Sequence, residues 1–190
     1  MLDDIRLIQL LQLENPYRYA NLFTHVRGKT EIKILCWKIK ARDVNDMTFD
    51  EVSVIRKKLS KQLITPDDIL HVFRKFFPSR LPKRAYLMLR VSKFYPCYNH
   101  ILNTIRKIAE AENVHWQPNN VDLDWKKAGS ENLSKFAEYS IAAEIGEKYS
   151  IKPTDILEWK YGEVFIEVAR NVAQSDVQRS YQEIKANKSK

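Results

Sequence analysis

Only four of the 190 residues are glycine: Gly28, Gly129, Gly146 and Gly162. The usual share is roughly 7%. Glycine reaches positive φ without strain and lets backbone approach backbone or a ligand closely. Tight hairpins, phosphate-cradling loops and strand–turn–helix active sites depend on it. A chain this poor in glycine is steered toward helices and away from most nucleotide-binding and nucleophile-elbow enzymes. Its apolar share of 44% and aromatic share of 11% are those of a chain with a packed core. The length allows one domain or two small ones.

Apolar spacing then places the helices. Residues 3–13 carry Ile5, Ile8, Leu10 and Leu11 on one side, with Asp3 or Asp4 as the cap and Asn15-Pro16 as the stop. Thr48 with Glu51 forms a capping box that opens a helix to about residue 62, with Val52, Ile55 and Leu59 inward. Thr65-Pro66 opens the next, with Ile69, Val72, Phe73 and Phe76 inward. A helix from Lys83 to Phe94 follows, and Pro96 starts a longer one with Ile101, Leu102, Ile105 and Ile108 inward. Ser130 caps a helix to Tyr149 with Leu133, Phe136, Ala137, Ile141 and Ile145 inward. Pro153 opens a short one, and a last long helix over about 163–185 buries Phe165, Val168, Val172 and Ile184. Residues 30–41 fit both periods; their β-branched content tips them toward strand. The expected fold is mainly α and bundle-like, with room for one short strand pair near 30–41. The expected organisation is an N-terminal helical region over 1–113, a linker over 114–129 pinned by Trp116 and Trp125, and a C-terminal helical region over 130–190.

One phrase occurs twice. Ile64-Thr65-Pro66-Asp67-Asp68-Ile69-Leu70 returns as Ile151-Lys152-Pro153-Thr154-Asp155-Ile156-Leu157. Each copy reads as a helix start. Proline at the first helical position has φ pre-set and lacks only an N–H that would be unpaired there. The aspartate suits the positive end of the helix dipole. Seven residues are too few to establish a duplication, since two independent Pro-started helices look the same.

Charge is concentrated. Residues 56–93 hold eleven Lys or Arg against two acids, Asp67 and Asp68, a net +9 in a chain whose total is +8. Lys57, Lys58, Lys61, Arg74, Arg84 and Arg90 are the candidate binding residues of this basic segment. Such a surface attracts phosphates or an acidic protein. The aromatic residues among them fall on buried stripes, which leaves the charges on the solvated face and favours an acidic protein partner over nucleic acid, with a charge that serves only solubility as the third reading.

Nothing else carries chemistry. No Walker loop, G-x-G-x-x-G, H-E-x-x-H or G-x-S-x-G is present. Cys97 and His100 stand one helical turn apart, but the further ligands of a metal site are missing. Asp122 and Asp124 read as solvated linker residues. Cys36 and Cys97 lie in apolar runs and read as buried free thiols. No cofactor is expected. An acidic start without a leader pattern, and no apolar run near 18 residues, point to a protein of the cytoplasm without a membrane partner.

The stretch from Phe136 to Val164 runs as a helix, the short Pro153-Thr154-Asp155-Ile156-Leu157 helix, and an aromatic turn Trp159-Lys160-Tyr161 into a final helix. It resembles the layout of small helical tail-assembly chaperones and morphogenesis proteins of tailed bacteriophages. The resemblance covers about 30 residues and assigns no functional residue. It implies a non-enzymatic virion structural protein, or a tail or connector assembly protein, in the host cytoplasm or the virion. Such a protein works through contacts with acidic or apolar surfaces of other virion proteins or through self-association. The alternative is a small basic nucleic-acid-binding protein.

Overall fold

The structure, a computed structural model, describes residues 5–12, 26–61, 64–117 and 136–188. Within them the chain is mainly α, with eight α-helices and one two-stranded antiparallel sheet. The elements are α1 (Leu7–Leu11), β1 (Glu31–Ile34), β2 (Trp37–Lys40), α2 (Phe49–Leu59), α3 (Pro66–Phe76), α4 (Lys83–Leu87), α5 (Val91–His115), α6 (Ala137–Tyr149), α7 (Pro153–Leu157) and α8 (Tyr161–Lys188), with a 3₁₀ turn at Val44–Asp46. The chain divides into two compact units, Met1–Val44 with Val54–Lys107, and Asn45–Ser53 with Ile108–Lys190. Neither unit is one continuous stretch of chain. The second unit takes in residues 45–53 and the end of α5. Linker residues 118–129, including Trp125, Asp122 and Asp124, lie outside the described residues, as do Asp3, Asp4 and Leu133.

The first unit is built around aromatic rings. Phe73, Phe76, Phe77 and Tyr86 have no exposed surface. The Phe73 ring lies 4.9 Å from Phe77 and 4.8 Å from Phe94, and meets Tyr86 edge-on at 6.2 Å. The Tyr86 hydroxyl donates to the Phe77 carbonyl at 2.8 Å, so its polar end is satisfied inside the core. α3 starts as its sequence predicts, with Pro66 in the first turn and Thr65 as N-cap. Thr65 Oγ1 accepts from the Asp68 N–H at 3.2 Å, and Asp68 Oδ2 accepts from the Thr65 N–H at 3.3 Å.

Residues 31–40 form a hairpin in the register Ile32↔Ile39 and Ile34↔Trp37. Ile32, Ile34 and Ile39 are buried on one face. Glycine scarcity argued against such turns, yet the chain makes one with Leu35 at φ 55°. A β-carbon in the left-handed region costs about 1–2 kcal/mol. The buried isoleucines offset that. Cys36, expected to be buried, is exposed at this turn, because the hairpin carries it beyond the core face. Cys97 is buried, and burial pushes its thiol up to about 12.

Pro96 does not start a helix. α5 runs unbroken through it from Val91. The helix is already begun when proline arrives: the Val91 N–H donates to the Ile5 carbonyl at 2.9 Å, and the Phe94 N–H turns back to Arg90 at 3.0 Å. The missing N–H forfeits one bond, that to Ser92, near the helix start.

In the second unit Ile145, Ile156, Tyr161 and Val164 are buried. The Tyr161 hydroxyl donates to buried Glu112 at 2.9 Å, and the Trp116 indole donates to the Phe165 carbonyl at 3.3 Å. α6 closes through Ser150 at φ 56°, after which the Ile151 N–H donates to the Gly146 carbonyl at 2.9 Å. A β-carbon on Gly146 would stand 2.5 Å from the Ile151 carbonyl oxygen, so glycine serves close approach here and not turning. Phe136 and Ile184, both expected inward, are 52% and 55% exposed. Phe136 precedes the described helix. Ile184 has rotated off the buried line, since at 100° per residue it stands about 200° from Val164.

The units share a backbone path. In the first, the Leu7 N–H donates to Leu89 at 2.7 Å and Val91 donates to Ile5 at 2.9 Å. In the second, Phe49 donates to Trp159 at 2.8 Å and Tyr161 to Met47 at 2.8 Å. The antiparallel bridges Arg6↔Arg90 and Thr48↔Lys160 sit at the same place in each circuit. Each circuit has a side-chain cap three residues on: the Gln9 side chain accepts from the Arg6 N–H at 2.9 Å, and Thr48 and Glu51 cap each other reciprocally. Each has a five-residue helix, α4 or α7, three residues before the long one. Segment 82–94 thus matches 152–164.

Candidate interaction surface

The six basic residues singled out from the sequence fall into separate settings. Lys58 and Lys61 reach Asp68 at 2.8 Å and 3.0 Å. Asp68 is almost fully buried, and the Lys58 ammonium, then Lys61 and Thr65, hold its carboxyl well below the usual carboxylate range. These two lysines hold α2 to the start of α3 and are part of the fold. Lys57 is exposed in the last turn of α2 and is engaged within the chain. Arg74 lies with its guanidinium 5.8 Å from the centre of the Tyr86 ring. It lines a small depression with His71, Lys75, Pro78 and Ser79. The His71 imidazole is lowered in pKa by burial, then by Lys58 and Lys75, which keeps it neutral near pH 7.

Arg84 and Arg90 come together. With Arg6 they border a depression of about 520 Å³ that also holds Leu35, Ala85 and Met88. Leu35 is 74% exposed and Met88 48%. Arg6 Nη1 donates to the Met88 sulfur at 3.3 Å. Three guanidinium-bearing side chains around exposed apolar groups suit a surface that is acidic and apolar at once. A larger depression, about 730 Å³, is lined by Trp37, Lys38, Lys40, Pro78, Arg80 and Leu81. Trp37 is 62% exposed there. Lys38 and Lys40 both reach Glu31, so part of that basic charge is answered from within the hairpin.

Sequence reasoning missed Arg6, Leu35, Met88 and Trp37. Arg6 joins Arg90 through the Arg6↔Arg90 bridge, a pairing of residues 84 positions apart with no local signal. Leu35 and Trp37 alternate as core residues do, but Leu35 falls in the hairpin turn, and Trp37, paired with Ile34 at the end of the sheet, stays exposed although it shares the face of the buried isoleucines. Among the described residues no group of three His, Cys, Asp or Glu could hold a metal ion, and no helix is long and apolar enough to cross a membrane. Comparison with family models, with curated proteins and with solved structures finds no match for this chain.

Proposed function

We propose that this chain is a non-enzymatic structural or tail/connector assembly protein of a bacteriophage virion that works through protein–protein contacts. Two lines support the reading. One is the resemblance of residues 136–164. The other, which carries it, is the depression of Arg6, Arg84 and Arg90 around exposed Leu35 and Met88. Phosphate recognition needs cations; it has no use for bared leucine and methionine between them. A protein surface with carboxylates around an apolar knob uses both.

Nucleic-acid binding is the second reading, favoured by exposed Trp37 beside Lys38, Lys40 and Arg80, since an exposed ring can stack on an unpaired base. One measurement separates them. Binding of random single- and double-stranded DNA in physiological salt should be weak, and heparin should not displace the natural partner. Sub-micromolar binding of random DNA overturns the assembly reading. On duplex DNA each phosphate contact would add about −0.9 to the log–log salt slope, and with Lys58 and Lys61 held by Asp68 the slope near −5 expected for all six basic residues would not be reached.

A further inference from the structure

α8 has two apolar faces, and only one is used. Tyr161 and Val164 are buried and Val168 and Val172 half-buried on the first. Ile166 and Ile184 stand five full helical turns apart, so they share a line on the other side, about 200° from Val164. Val177, Tyr181 and Ile184 follow at i, i+4 and i+7 along that second face, with Ala173 one turn before. Ile166 is 65% exposed, Val177 71%, Tyr181 65% and Ile184 55%. From Val177 to Lys188 every residue is exposed. An isolated helical segment of that length is marginal in water, so a helix this long with a bare apolar stripe calls for a partner.

We infer that this outer face pairs with the same face of a second copy of the chain, as a short parallel two-stranded coil. The inference rests on the assembly reading above and names one of its partners. Val177 and Ile184, seven residues apart, take the positions where β-branched residues favour two strands. Ile166, Ala173 and Ser180 take the alternate core positions. Charge then fixes direction. In a parallel pair Glu183 on one edge faces Lys188 of the second copy on the other. In an antiparallel pair the edge bearing Asp176 and Glu183 would meet itself, and the carboxylates would repel. Arg170, which falls in the stripe, is tied back by Glu167 at 3.0 Å and Tyr149 at 3.3 Å.

The first unit supplies an independent indication that this face is a packing face. Position for position, Pro96 and His100 of α5 correspond to Ile166 and Arg170 of α8. There the face is covered by main chain of residues 26–31: the Lys29 N–H donates to the Pro96 carbonyl at 2.9 Å, and Gly28 is glycine because a β-carbon would meet His100 Cα at 3.1 Å. Among the described residues α8 has no such cover, and Ile166 is left bare.

Sedimentation equilibrium of the full chain, with Cys36→Ser to remove the exposed thiol, should show a monomer–dimer equilibrium by about 100 μM. Val177→Glu with Ile184→Glu should weaken it about 100-fold or more, because two unpaired charges enter the seam. Glu183→Lys should weaken it, and adding Lys188→Glu should restore it, a rescue that misfolding cannot imitate. Ser180→Cys should oxidise in air to a linked dimer, since an in-register parallel pair sets residue 180 against itself. A monomer at every concentration overturns the inference, as does a dimer indifferent to the glutamates, a charge swap without rescue, or a dimer in which Ser180→Cys fails to link. None of these outcomes bears on the DNA and heparin result, so the two readings fail separately.

Discussion

Segments 82–94 and 152–164 follow the same backbone path, yet of thirteen paired positions only Leu87 and Leu157 carry the same residue. The paired phrases 64–70 and 151–157 agree at five of seven positions and do not share a fate. The first opens an eleven-residue helix under a Thr65 cap, and the second a five-residue helix whose N-cap Lys152 makes no side-chain bond. What repeats in structure is a schedule of burial. Tyr86 and Ile156 are both fully buried, as are Val91 and Tyr161, and Phe94 and Val164. Side chains of different size fill equivalent places because each unit supplies its own surroundings.

The largest expected effect tests that equivalence at its anchors. Tyr86→Ala should destabilise the first unit by about 3–5 kcal/mol or slightly more, losing ring packing and the bond to Phe77. Ile156→Ala, its counterpart, should cost about 2–5 kcal/mol in the second. Denaturant unfolding followed by Trp fluorescence and by circular dichroism reads both. Equal and small losses would mean that the shared path is not held by these two side chains. Leu157→Ala, at a half-buried position, should fall at or below the low end of that range.

A smaller effect breaks the comparison at a place the units do not share. Gly146→Ala should destabilise by about 1–3 kcal/mol, because the contact 2.5 Å away is the Ile151 main-chain oxygen and cannot swing aside. A neutral result would show that the turn after α6 relaxes freely.

The Asp68 cluster belongs to the first unit alone. Its carboxyl is lowered in the folded state, so its contribution is fully present above the unfolded value near 4 and is lost as pH falls from there. Asp68→Asn should therefore be destabilising at neutral pH, with the gap to the parent closing under acid. A gap that persists unchanged at low pH would mean that packing, not ionisation, is what the substitution removes.

The smallest effects sharpen the contrast between the two Pro-started helices. Thr65→Ala should cost about 1 kcal/mol, and Lys152→Thr should stabilise by up to about 1 kcal/mol by supplying the cap that α7 lacks. If both changes are silent in thermal melts, the difference between α3 and α7 does not lie in their caps.

Much of the helical plan was legible because its causes are local. The Thr48–Glu51 box, the Pro66 and Pro153 starts, and the stripe Ile69, Val72, Phe73 and Phe76 each follow from residues within a few positions of one another. The helix through Pro96 was not legible, because its start depends on Ile5. The exposed Leu35–Cys36–Trp37 turn was not, because its residues are apolar and no glycine or asparagine marks it. The basic surface was legible in charge but not in grouping: Lys58 and Lys61 close on Asp68, while Arg84 and Arg90 find Arg6.

That this chain is mainly helical, where most of its helices begin, and which stripes of α2 and α3 turn inward all follow from the order of residues. These depend on φ preferences, caps and the 3.6-residue period, which act within one or two turns. Long-range packing is what groups residues 45–53 with the C-terminal unit, sets two dissimilar segments on one path, and leaves an apolar face of α8 bare. Those outcomes depend on which backbone N–H meets which distant carbonyl, as Val91 meets Ile5 and Tyr161 meets Met47. Pairings across such separations leave no mark on the neighbouring letters.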